Sequence, residues 1–193
     1  MLIEISTKSI NKDKSIIFVV GVNKIDIDQG LKTMNIVYRR IEKRDNKVLS
    51  RLIKKVFEEF GINIPGTVYT DPTTDALFEL FQTPGSVYWI AEENEHILGG
   101  CGIFPTEGLP DRYAELVKLY LSADARGKGI GHSLLQKSIQ SARALNYTYL
   151  YLESFPNLSK AISLYERNGF IKLDKALGNS GHYACNVWME RKL

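Results

Sequence analysis

The sequence has little cysteine and no long apolar segment. Its 193 residues include two cysteines, Cys101 and Cys185, with neither a CxxC pair nor a Cys/His ligand spacing, which argues against a disulfide framework and a bound metal. Both cysteines lie in apolar, strand-like runs, so we expect buried, reduced thiols. No apolar stretch reaches the roughly 18 residues that span a bilayer, and the amino terminus lacks a basic-then-apolar signal. These absences predict a soluble, cytoplasmic protein with no metal and no membrane partner.

The chain carries only a small excess of positive charge. The formal net charge is +3, and no long Lys/Arg run is interleaved with aromatic residues, so nucleic acid is not indicated as a partner. Basic residues concentrate between positions 39 and 55, where apolar residues recur at helical spacing. We interpret this basic cluster as the solvated face of a helix.

The length and the composition favour one well-buried domain. With 44% hydrophobic and 24% charged residues, a chain of 193 residues is long enough for one core and short for two. The first 33 residues differ from the rest, because short apolar runs alternate there with Lys, Asp and Asn clusters. We therefore divide the chain into an amino-terminal extension of uncertain order, residues 1–33, and a domain over residues 34–193.

From Met34 onward, hydrophobic periodicity predicts interspersed strands and helices. The predicted strands cover residues 35–41, 87–92, 96–104, 114–122, 147–153, a short run from 170, and 183–190; the predicted helices cover 45–60, 72–82, 130–145 and 158–168. The polar residues 93–95 suit a hairpin turn, and Gly99, Gly100 and Gly102 indicate a bulge or a close backbone neighbour. This order predicts an α+β domain with a mixed, mostly antiparallel sheet flanked by helices.

A glycine-rich turn joins a predicted strand to a predicted helix. It reads Arg126-Gly127-Lys128-Gly129-Ile130-Gly131. Glycines leave room for an anion at the backbone, and the N–H groups and positive end of the next helix can point at one oxyanion. The turn therefore suits a phosphate site, with Arg126 and Lys128 at its rim. A flexible, solvated loop is the alternative for such a motif taken alone.

The motifs and their order resemble the GNAT superfamily of acetyl-CoA-dependent N-acetyltransferases. Residues 115–122, Glu-Leu-Val-Lys-Leu-Tyr-Leu-Ser, precede the glycine turn, and residues 161–170 contain the Tyr-x-x-x-Gly-Phe segment. Both motifs match the family, a helix and a strand lie between them, and the resemblance covers residues 34–193. It implies the GNAT fold and acetyl-CoA as cosubstrate.

The resemblance also implies the coenzyme site. The pyrophosphate would bind the backbone of the turn, and the preceding strand would pair with the pantetheine amides. The implied coenzyme-binding residues are Leu119, Tyr120, Leu121, Arg126, Gly127, Lys128, Gly129, Ile130, Gly131 and His132. Many relatives carry an asparagine where this chain has Leu158. Asn157 stands one position earlier, which leaves open whether it replaces the usual contact.

Two residues are implied to be catalytic. The acceptor amine needs a base, because an amine with a pKa near 10.4 is only about one part in 2,500 neutral at pH 7. Glu115 has the position of the catalytic glutamate in the family's histone-acetylating members, and Tyr165 has that of the tyrosine that protonates the departing thiolate. The alternatives are a solvated or ion-paired strand-end carboxylate for Glu115 and a packed aromatic ring for Tyr165. His182 is a rival base.

The acceptor site is the least defined part of the sequence. In the family, loops at the positions of Tyr69, Asp71, Glu107, Asp111, Asn179, His182 and Tyr183 line it. The first hypothesis is direct acetyl transfer to a primary amine of a small molecule or peptide. An acyl-CoA-binding sensor with little turnover and an acetyltransferase acting on a protein or tRNA are the alternatives. The sequence leaves monomer and homodimer open.

Overall fold

A computed structural model describes residues 35–193, and the predicted amino-terminal extension lies outside the described residues. Seven strands form one sheet: β1 Val37–Arg40, β2 Val87–Glu93, β3 His96–Phe104, β4 Tyr113–Leu121, β5 Tyr149–Ser154, β6 Ile171–Leu173 and β7 Val187–Lys192. Their order is β1-β2-β3-β4-β5-β7-β6. Only β4 and β5 pair in parallel, so the expected mixed, mostly antiparallel sheet is confirmed within these residues.

Helices flank the sheet, and one prediction for them was wrong. The α-helices are α1 Asn46–Glu59, α2 Leu77–Leu80, α3 Ile130–Ala144 and α4 Ser159–Arg167. The helix expected over residues 72–82 is instead a 3-10 turn, Pro72–Asp75, followed by the short α2. Ala76 separates them with φ −132° and ψ 47°, which are not helical angles. The Asn46 side chain accepts the Phe78 N–H at 2.7 Å, so a tertiary contact fixes where α2 begins.

The glycine-rich β3 strand behaves as expected. Its hairpin with β2 turns through Asn94 and Glu95, both with positive φ, as a tight two-residue turn requires. A Cβ on Gly99 would lie 2.2 Å from the Tyr120 carbonyl oxygen, and one on Gly100 would lie 2.4 Å from the Tyr88 ring. The glycines therefore allow close approach of β3 to β4 and to a buried aromatic ring.

Each face of the sheet carries its own core. Side chains alternate along β2, so Tyr88 and Ile90 pack on one side with α1 and its Phe57. On the opposite side, Leu134 and Leu135 of α3 pack against the other face. Within residues 35–193, none of the helices is long and apolar enough to cross a membrane.

The last strand begins later than predicted. β7 starts at Val187, and the preceding residues form a loop that contains Cys185. Both cysteines are free thiols and Cys101 is buried, as expected, but Cys185 is only partly buried. The expectation of a second strand-borne, buried thiol was therefore wrong.

Candidate active site

The sheet opens between its two parallel strands. Pairing of β4 with β5 covers Tyr113, Ala114 and Glu115 and then stops, opposite Tyr151. Beyond that point β4 continues along β3 and β5 continues along β7. The two strands therefore separate into a cleft, and Glu115 is the last paired residue at its closed end.

A bulge in β4 shapes one wall of this cleft. The partners of Gly102 and Gly100 are Val117 and Tyr120, so β4 holds an extra residue between two bridges. Lys118 occupies the bulge with φ 53°, a left-handed conformation that costs a non-glycine residue energy. The Ser122 N–H donates to β3 at 2.9 Å, so by alternation the N–H and C=O of Leu121 face away from β3.

The glycine turn stands at the open end of the cleft. Gly127 and Gly129 have φ 77° and 78°, and α3 begins at the next residue, Ile130. A Cβ at either glycine would meet no atom of the described residues within 4 Å. The turn thus leaves its backbone accessible in front of a fifteen-residue helix, which is the geometry of an anion site. Lys128 and His132 are exposed beside it.

The Arg126 side chain binds other groups of the protein and is not free at the rim of the glycine turn. Its guanidinium binds the Glu59 carboxylate through two bonds of 2.5 and 2.8 Å. It also donates to the Leu121 carbonyl at 3.2 Å and lies 5.1 Å from the Phe60 ring centroid. Arg126 therefore connects the end of α1 to the cleft-facing backbone of β4.

Glu115 lies in a small cavity and has an unusual acidity. Its side chain is nearly buried, and the Thr106 hydroxyl donates to its Oε2. Burial and the nearby Glu153 carboxylate raise the pKa of Glu115 to about 7, against opposing contributions from Thr106, His182 and Lys118. The lining of the cavity, which has a volume of about 40 Å³, includes Glu115, Glu153, His182 and Lys118 but not Thr106. A carboxyl group with this pKa is suited to proton transfer near neutral pH.

Glu153 is a site residue that the sequence analysis missed. The hydroxyls of Tyr151 and Ser180 donate to its two carboxylate oxygens, each at 2.8 Å. One carboxylate oxygen of Glu153, one of Glu115 and a ring nitrogen of His182 lie within 4.8 Å of one another. One available signal was topological: the two parallel strands end at the same edge of a sheet, so the carboxylate at the end of β5 belongs beside β4.

A polar chain links the cavity to the loops above it. Nζ of the buried Lys118 donates to Asp71 Oδ2 at 3.1 Å, and Nε2 of His182 lies 3.3 Å from the same oxygen. The Ala184 N–H donates to the Gly66 carbonyl at 3.1 Å. The loop before β7 is therefore attached to the loop after α1. Sequence reasoning missed Lys118.

The other expected acceptor residues are more scattered. Tyr69 donates its hydroxyl to Glu58 at 3.0 Å. The Glu107 carbonyl accepts the Asn179 N–H at 2.7 Å. Tyr183 is 80% exposed, and Asp111 is exposed as well. Of the seven predicted acceptor residues, only His182 lines the Glu115 cavity, and Asp71 touches it through His182 and Lys118.

Neither Tyr165 nor Asn157 lines the Glu115 cavity. Tyr165 is buried in α4 with its ring 5.7 Å from that of Phe170, and burial raises its pKa. Asn157 donates to the Phe60 carbonyl at 3.0 Å, whereas Leu158 lines the cavity. The Asn157 amide thus holds the end of α1 in this structure.

Solved structures share this architecture. An acetyltransferase of the GNAT family from Staphylococcus aureus Mu50 superposes with a TM-score of 0.73 at 23% identity, over 82% of this chain and 99% of that one. The PaiA N-acetyltransferase from Thermoplasma acidophilum, solved in complex with coenzyme A, gives 0.65 at 19% identity over 83% and 100%. The fold is therefore that of the GNAT acetyltransferases.

Sequence comparison extends the likeness from fold to family. Residues 50–170 match the model of the acetyltransferase (GNAT) family. The uncharacterized N-acetyltransferase YjgM of Escherichia coli (strain K12) is 37% identical over 158 residues, which are 81% of this chain and 95% of that protein. The chain belongs to the GNAT family and is an N-acetyltransferase, which confirms the resemblance seen in the sequence.

Proposed function

We propose that this enzyme moves the acetyl group of acetyl-CoA directly to a primary amine of a small molecule or peptide, with Glu115 as general base and Tyr165 as general acid. The observation that carries the proposal is the position of Glu115. It lies at the closed end of the cleft with a pKa of about 7. A base with that pKa can accept a proton from an ammonium group near neutral pH.

The coenzyme would occupy the open part of the cleft. The pyrophosphate binds the N–H groups of the turn from Arg126 to Gly131, with Lys128 and His132 beside it. The pantetheine amides pair with the backbone of Leu119–Leu121, where β4 has lost its β5 neighbour. This placement is supported by the coenzyme A complex of the PaiA relative and by the open glycine turn.

The chemistry needs no covalent enzyme intermediate. The neutral amine attacks the thioester carbonyl carbon, a C–N bond forms, the C–S bond breaks, and the amine's protons leave through Glu115. The departing thiolate takes a proton from Tyr165. Cys185 lines the same cavity, but burial and two nearby carboxylates raise the pKa of its thiol to about 12. A thiol so rarely ionised is a poor nucleophile, which supports direct transfer.

Release of free thiol from acetyl-CoA, measured with a panel of amines and peptides, tests the proposal. We expect Glu115→Gln and Tyr165→Phe to lower kcat by at least about tenfold, because each removes a proton-transfer group. Two matched controls should keep wild-type rates. They are Glu95→Gln, at an exposed residue of the hairpin turn, and Tyr149→Phe, at a tyrosine whose ring stacks on Tyr113. Unchanged rates in both site variants would exclude the assigned roles.

The same assay separates an enzyme from a sensor. If the protein were a sensor, bound acetyl-CoA would raise the melting temperature of the protein, but no acceptor would cause release of free thiol. Rates that fall steeply between low and moderate salt would instead indicate a polyanionic partner such as tRNA, because phosphate contacts release counterions.

A further inference from the structure

Lys118 carries a buried ammonium group whose hydrogen bonds are incomplete. Its side chain is 4% exposed, and its Nζ donates to Asp71 Oδ2 at 3.1 Å and to Thr74 Oγ1 at 3.3 Å. The Thr74 hydroxyl gives its own proton to the Val68 carbonyl, so it acts only as acceptor toward Lys118. An ammonium group has three donors. Within residues 35–193 the third N–H of Lys118 has no protein acceptor.

Glu115 has the complementary deficit on the same cavity. Its Oε2 accepts from Thr106, whereas Oε1 has no partner among the described residues. Lys118 and Glu115 both line the cavity of about 40 Å³, yet they do not form an ion pair with each other within residues 35–193. An N–H group and a carboxylate oxygen without protein partners thus belong to two residues that line the same cavity, and a buried donor left unpaired costs free energy.

We propose that the acceptor is an α-amino amide, such as the amino-terminal residue of a peptide, whose amine faces Glu115 while its carbonyl oxygen accepts the free N–H of Lys118. This inference rests on the proposed function. The amine nitrogen and the carbonyl oxygen of such a group are about 3 Å apart, joined through three covalent bonds and two carbons. One small unit therefore supplies a donor for Glu115 and an acceptor for Lys118.

The charges around the cavity favour a neutral carbonyl over a carboxylate. Asp71 already compensates the Lys118 ammonium. Glu115 and Glu153 add two acidic groups, and His182, which also lines the cavity, contacts Asp71. A free amino acid would bring its own carboxylate toward this acidic surrounding, and like charges repel at short range. An amide avoids that cost and keeps the hydrogen bond.

Acetylation of glycinamide and of propylamine by wild type and Lys118→Met gives the first test. The ratio of variant to wild type for each acceptor cancels the different basicities of the two amines. We expect kcat/KM for glycinamide to fall at least about tenfold, mainly through KM, because one buried hydrogen bond is lost. The loss for propylamine should be at least about threefold smaller, because it reports only the effect of the lost Lys118 charge on Glu115. Equal losses for both acceptors, or no loss for either, would overturn the proposal.

A second measurement needs neither turnover nor a folded variant. The product N-acetylglycinamide and its analogue N-propylacetamide, which lacks the second carbonyl, are titrated calorimetrically into the wild-type enzyme with coenzyme A. We expect the glycinamide product to bind at least about fivefold more tightly. Equal affinities would overturn the inference even if amines are acetylated. Acetylation of free glycine with a higher kcat/KM than glycinamide would overturn the neutral-carbonyl assignment.

Discussion

Glu115 combines burial with a neighbouring carboxylate, and both effects favour its protonated form. Burial contributes most, and Glu153 adds to it. In the proposed mechanism the base must be ionised before the amine arrives, so kcat/KM should rise with pH through about 7. The same pKa that makes Glu115 a usable base thus sets the acid limb of the activity profile.

The Glu153→Gln variant tests this coupling. Removal of the neighbouring negative charge lowers the pKa of Glu115, because that charge raises it in the wild type. The acid limb of kcat/KM should therefore move to lower pH in the variant. Initial rates from about pH 5 to about pH 9 measure the shift, and Glu107→Gln provides a control outside the cavity lining. A limb that stays in place would mean that Glu153 does not control the ionisation of Glu115.

Ionisation of the buried Glu115 should also lower the stability of the folded protein. The pKa of Glu115 is about 7 in the folded protein and 4.5 in a model peptide. The buried, protonated Glu115 carboxyl therefore contributes its full stabilisation at a pH below the pKa of the unfolded chain. That stabilisation is lost as the pH rises through the folded pKa of about 7. Glu115→Gln cannot ionise, so at pH 8 it should be more stable than wild type by on the order of 2–3 kcal/mol. Urea unfolding at about pH 5 and about pH 8 measures the difference, and an equal difference at both values would contradict the assignment.

At the scale of elements, the glycine turn makes a separable prediction. Gly129 has φ 78° and open space at its Cβ position, so Gly129→Ala costs about 1 kcal/mol of stability and places a methyl group where the pyrophosphate would bind. The KM for acetyl-CoA should rise. Gly61 also has positive φ and open space but lies at the end of α1, so Gly61→Ala is the matched control. A similar KM in both variants would remove the turn from the coenzyme site.

Elements with strong local signals could be predicted from the sequence, and those set by distant contacts could not. The periodicity of α1 and α3 and the polar turn before His96 are local features, and the structure has them. The break at Ala76 depends instead on contacts of Asn46. Lys118 gave no signal as a site residue, because alternation in a strand assumes no bulge and the bulge turns its side chain inward.

At the scale of the whole molecule, two loops that are far apart in the sequence are joined to each other beside the cavity. The loop after α1 and the loop before β7 are joined through Asp71 with His182 and through Gly66 with Ala184. Asp71 also holds the Lys118 ammonium. These contacts connect the proposed acceptor side of the cleft to Lys118 of β4, whereas the glycine turn proposed for the pyrophosphate follows the end of that strand. Binding of acceptor and of coenzyme should therefore respond differently to damage in the loops.

Asp71→Asn tests that separation. The variant keeps the shape of the side chain but loses the charge that binds Lys118 and His182, and the pKa of Asp71 is held below its usual range in the wild type. We expect a higher KM for the amine, an unchanged Kd for acetyl-CoA, and faster hydrogen exchange of the Ala184 amide as the loops loosen. Asp75→Asn, which removes an exposed partner of Lys54 on the same segment, is the control. Weaker acetyl-CoA binding in Asp71→Asn would show that the loop contacts do not act on the acceptor side alone. The same acceptor KM in both variants would show that they do not act on it at all.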